Sequence, residues 1–147
     1  MSNSRSAGSS TTPSPGPGRR EARERAIGLL YEREARSLAI DELFGELPLD
    51  PDPYTEAAVR GIATDASGDG VIDALIEEHS EGWSLHRMPR VDAAILRLAV
   101  WELRARDDVP TAVVLDEAVE LAKAYSTERS PAFVNGVLDA IAAAVRH

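Results

Sequence analysis

The sequence contains no cysteine, so neither disulfides nor thiolate metal sites support the fold. That composition fits a reducing cytoplasm, the expected location. No apolar run approaches the ~20 residues needed to cross a bilayer. The N-terminus lacks the apolar core of a secretory signal, so neither export nor a membrane is expected. Catalytic patterns are missing too. The three histidines, His79, His86 and His147, form no HExxH pattern, and there is no Gly-rich phosphate loop, GxSxG elbow or Walker sequence. Neither a reaction nor a cofactor nor a metal is expected. The adjacent acidic pairs Glu77-Glu78 and Asp107-Asp108 point in different directions on a helix and read as solvated surface charge.

What is present is a 147-residue chain, 44% hydrophobic and 28% charged, enough for one domain with an apolar core. Its net charge of −9 argues against nucleic acid until the distribution is considered. Residues 1–36 carry seven arginines against four glutamates, while the remainder has nine basic and 21 acidic residues. Binding to phosphate depends on local potential, so a basic N-terminal helix on an acidic body remains compatible with RNA.

Residues 1–18 are mostly Ser, Thr, Pro and Gly and have little to bury, which predicts a disordered tail. From residue 19 the chain reads as helices. The first is expected over 19–36 with Ala22, Ala26, Ile27, Leu29 and Leu30 inward, and a short second near 39–44. The prolines of 45–53 mark a connection. Further helices are expected over 54–65 and 70–79, then a turn at 82–85 with Ser84 as a cap. A broad-faced helix begins near Pro89, with Val91, Ile95, Leu98, Trp101 and Leu103 inward. The sixth carries Val114, Ala118, Leu121 and Tyr125, and Ser130-Pro131 caps and opens the seventh. No segment alternates with period two, and no repeat occurs. The expected class is all-α, about seven helices in a bundle.

On the first helix, Arg19, Arg20 and Arg23 fall within an arc of about 100° beside the apolar stripe. Arg20 and Tyr31 share one edge, about 16 Å apart along the axis. A guanidinium fork binds phosphate and an aromatic plate stacks on a base. A helix with surface Arg/Glu pairs and a half-buried tyrosine fits the same periodicity and is commoner. Gly136 interrupts a helical pattern at ~1 kcal/mol relative to alanine, which suggests close approach of another backbone. For Asn135, a bond to a loop carbonyl and a ligand role are both open. Trp83 and Trp101 are expected in the core.

The runs RREARERAIGLLYE (Arg19–Glu32), WSLHRMPRVDAAILRLAVWEL (Trp83–Leu103), DDVPTAVVLDEAVELAKAYS (Asp107–Ser126) and FVNGVLD (Phe133–Asp139) resemble, in order and spacing, the NusB family of transcription antitermination factors. The resemblance implies two small packed helical subdomains. It also implies binding of boxA-type single-stranded RNA beside NusE, a small ribosomal subunit protein, within the transcription elongation complex during rRNA synthesis. By matching positions, RNA contact falls to Arg19, Arg20, Arg23, Tyr31, Tyr125, Arg129 and Phe133 with Lys123 nearby, and NusE contact falls near Asp92. Arg129 stands where the family often has an acid, Ala132 where it often has a base, Pro131 where a polar residue is usual, and Glu21 where a base is frequent. A homodimer, known in the family, remains open. Two other readings are a protein-only adaptor with negligible RNA affinity and the helical module of an RNA-modifying enzyme. The latter calls for a cofactor-binding domain not found in these residues.

Overall fold

In a computed structural model the described residues are 17–146. They form α1 (Pro17–Arg36), α2 (Ile40–Gly45), α3 (Pro53–Ser67), α4 (Val71–His79), a 3-10 turn at Leu85–Arg87, α5 (Arg90–Ala105), α6 (Thr111–Tyr125) and α7 (Ser130–Val145). Among the described residues there is no strand. Most of the expected tail, residues 1–16, lies outside them, and α1 begins two residues earlier than expected, at a proline suited to a first turn.

Local chemistry sets the helix ends. Asp52 accepts from the Tyr54 amide at 2.7 Å, with Pro53 at the first helical position of α3. Gly70 precedes α4 with φ of 65° and has no side chain to offer as a cap. Asp65 takes that role from the end of α3, accepting from the amides of Val71 (3.3 Å) and Ile72 (2.9 Å). Ser84 makes no capping bond. The Glu77 carboxylate instead accepts the Leu85 amide at 3.0 Å. Ser130 is the first residue of α7 rather than its cap, because its hydroxyl is turned inward to Asp92.

The central element is α5, which packs on α1, α3, α4, α6 and α7. Ile95, Leu96, Leu98, Ala99, Val100 and Leu103 are all buried, so the helix is apolar on nearly every side. Helices α1 and α3 pack on one another and on α5, with α2 held against α1. Helices α6 and α7 likewise pack on one another and on α5, and the buried residues form one continuous core. Where α3 crosses α5, a Cβ on Gly61 would lie 2.4 Å from the Trp101 indole nitrogen. Close approach is therefore required at Gly61, and not at Gly136, where a Cβ meets nothing within 4 Å.

The end of α5 is held by the last described residue. Arg146 donates to the carbonyls of Glu102, Leu103, Arg106 and Val109 and to the Thr111 hydroxyl, at 2.7–3.1 Å. The Leu103 and Val109 carbonyls, which accept no backbone amide, are thereby satisfied by a cation at the negative end of the helix, and those of Glu102 and Arg106 gain a second donor.

Candidate RNA-facing surface

The arginines of α1 divide between the interior and the surface. Arg23 is 1% exposed, and its Nε and Nη2 grip Glu102 of α5 at 2.8–3.1 Å. Burial opposes the charge, but the hydrogen bonds and charge of Glu102 outweigh it and hold the guanidinium above its ordinary value. The Tyr54 hydroxyl also donates to Glu102. Burial, then the neighbouring carboxylate, pushes that phenol well above its usual range. Tyr54 in turn packs edge-on to Trp101 with centroids 5.6 Å apart. Arg19 lies over the Tyr54 ring at 3.9 Å and Arg106 at 4.6 Å. The sequence expectation is thus corrected at Arg23, which is a buried structural cation with no face open to RNA. Arg19 is half-buried against Tyr54.

Arg20 faces outward, its side chain 51% exposed, and forms a two-pronged pair with Glu117 of α6 at 2.6 and 3.0 Å. Those bonds hold the Glu117 carboxyl below its ordinary value, although partial burial opposes the shift. Arg20 and Glu117 share a shallow cleft with Lys123, Pro131 and Asn135, joining α1, α6 and the start of α7. Lys123 is exposed and pairs with Glu120 at 3.3 Å. One step along the same seam, Tyr31 and Tyr125 flank a second cleft with Glu24, Ile27, Gly28 and Val91. The Tyr125 hydroxyl donates to Glu24 at 2.9 Å, and that carboxylate raises the phenol's pKa. A third cleft holds Arg129 and Phe133 with Trp83, Met88, Pro89 and Asp92. Arg129 is exposed and has no ion pair among the described residues.

Two further expectations, at Asp92 and Trp83, are corrected, and of the two roles open for Asn135 the bond to a loop carbonyl is not found among the described residues. Asp92 is only 3% exposed, and its carboxylate accepts from the hydroxyls of Ser126 and Ser130, so it forms the floor of the third cleft and is not a surface contact. Trp83 is 54% exposed, because the turn after α4 carries it outward past Gly82, where φ is 90°. Asn135 is exposed and its side chain makes no hydrogen bond among the described residues. The sequence reading missed Glu117 and Glu24, the carboxylates that hold Arg20 and Tyr125. Glu24 was legible in principle, one turn after Arg20 on the strip that leads to Tyr31.

These helices, in this order, are found in a known group of proteins. The NusB family matches residues 20–143. The chain belongs to the NusB family. It is 38% identical to T. maritima NusB, with a TM-score of 0.72 over 87% of this chain and 92% of that one. A solved assembly of antitermination factors NusB and NusE with dsRNA contains a chain 32% identical to this one, at a TM-score of 0.73 over 86% and 96% of the respective chains. NusB from Aquifex aeolicus is 32% identical, at a TM-score of 0.61 over 86% and 88%. NusB proteins are transcription antitermination factors. The all-helical fold is that of the family, and no helix among the described residues is long and apolar enough to cross a membrane.

Proposed function

We propose that this chain is an RNA-binding transcription antitermination factor that engages boxA-type single-stranded RNA together with NusE during rRNA transcription, in the cytoplasm and without catalysing a reaction. The carrying observation is the seam between α1 and α6. It gathers Arg20 and Lys123 at one cleft and Tyr31 and Tyr125 at the next. Cations positioned for phosphates beside open aromatic rings suit an unpaired strand, whose bases stack while its backbone is neutralised. Arg129 and Phe133 extend that surface to the cleft floored by Asp92, whose other wall, Trp83, Met88 and Pro89, is the side assigned to NusE. Arg19 contributes near the N-terminal end, where it covers Tyr54.

One observation favours the protein-only adaptor. Arg20 and Lys123 are already paired with carboxylates, which compete with phosphate for both cations. Titration of labelled boxA RNA and a scrambled control, with and without NusE at two salt concentrations, separates the readings. Tighter binding to boxA that NusE enhances and salt weakens steeply is the expected result. Binding of NusE with no preference for boxA would leave the protein-only adaptor.

A further inference from the structure

We propose that the cleft over Gly28 is a subsite for a single unpaired guanine, with Tyr31 and Tyr125 as its aromatic walls and Glu24 as the acceptor that selects the base. The inference deepens the RNA-binding reading and rests on it. The cleft has a volume of about 320 Å³ and an apolar floor of Ile27, Gly28 and Val91. Gly28 lies mid-way along α1, where glycine is the poorest helix former after proline. No packing requires it, since an added Cβ meets nothing within 4 Å. What the missing side chain does is keep the floor open between the two tyrosines. These rings are 42% and 53% exposed, so each offers part of a face to a planar guest.

Stacking accepts any base, because every base has a π-face. Selection has to come from the polar groups at the cleft, which are Glu24 and the two phenols. Glu24 is oriented by the Tyr125 hydroxyl at 2.9 Å. An ionised carboxylate only accepts hydrogen bonds, so it repels phosphate and favours a base edge that donates. Guanine presents two parallel donors, N1–H and the N2 amino group, to the two carboxylate oxygens. Uracil offers one N–H on its pairing edge. Phosphate falls to Arg20, eight residues and about 12 Å along the same helix.

The test uses the full chain with NusE and uridine 12-mers carrying one central guanine, inosine or uridine. Inosine keeps N1–H and lacks the N2 amino group. The native chain is expected to bind the guanine oligomer about tenfold more tightly than either other, the scale of one charge-assisted hydrogen bond. Gly28→Leu fills the slot and Glu24→Gln removes one charge from its rim. Both are expected to bring guanine to the level of uridine, while the salt slope set by the cations stays the same. Gly28→Leu is expected to melt at or above the native temperature, which separates a filled slot from a damaged fold. Variants that discriminate as the native chain does, with the salt slope intact, overturn the guanine subsite and leave the RNA-binding reading standing. No binding of any oligomer, or of boxA RNA, would overturn both.

Discussion

Arg23 of α1 and Glu102 of α5 meet in the protein interior as a two-pronged ion pair, with side chains 1% and 2% exposed. Glu102 also receives the Tyr54 hydroxyl from α3, so three helices converge on one carboxylate. The pair fixes α1, and with it Arg20 three residues earlier, relative to the α5–α6 body. It joins structure to function without itself facing RNA.

Arg23→Ala strands Glu102 as an uncompensated buried charge, an effect of about 3–5 kcal/mol. Chemical denaturation is expected to show that loss. Arg23→Ala/Glu102→Ala is expected to be less destabilised than the two single losses added together. Strict additivity in the cycle would mean that the two side chains do not stabilise each other.

Why was this network not legible in the sequence? Periodicity placed Arg23 at the margin of the apolar stripe, and a long guanidinium at a margin can turn either way. The deciding partner, Glu102, lies on the helix whose apolar face was the clearest, yet nothing local marks that glutamate as buried. The helices themselves were legible, because their ends are set by nearby residues such as Asp52-Pro53 and Gly70. The outer seam was partly legible: the Arg20–Tyr31 edge follows from helix geometry, and Tyr125 from family likeness. The carboxylates opposite them required α1 and α6 to be brought side by side by their common packing on α5. Trp83 was misplaced because composition alone puts tryptophan inside, whereas a short turn carries it out.

Tyr54 gives the fold an alkaline limit. Its phenol is held above the usual value near 10 by burial and then by Glu102. A raised folded-state value contributes stability that is complete below the unfolded pKa and lost as pH rises towards the folded one. Denaturation midpoints are therefore expected to fall above pH 10 in the native chain. The Tyr54→Phe variant, though less stable at neutral pH, is expected to show a shallower decline there. Equal slopes for the two proteins would remove Tyr54 as the cause.

Arg146 satisfies four carbonyls and a hydroxyl around the end of α5. Arg146→Ala leaves partly buried acceptors to water or to nothing, a loss of about 2–3 kcal/mol on the scale of hydrogen bonds to charged groups. Amide exchange is expected to quicken first in the loop at Asp107–Pro110 and the last turn of α5, ahead of the α1–α3 interface. Uniform acceleration across the molecule would count against a local clamp.

Glu117 occupies the place on Arg20 that an RNA phosphate would take, at 2.6 and 3.0 Å. On the proposed reading, RNA binding requires Arg20 to exchange one oxyanion for another. Glu117→Gln keeps the shape and removes the competing charge. The Arg20 side of the pair is half exposed and screened by solvent, so the affinity for boxA RNA is expected to rise by only a few-fold. Arg20→Ala is expected to lower affinity and to reduce the salt slope by about one. In the Arg20→Ala background, Glu117→Gln should then have much less effect, because the competition it relieves is gone. If Glu117→Gln strengthens RNA binding equally with and without Arg20, Glu117 acts as general negative charge on the surface and not through its partner.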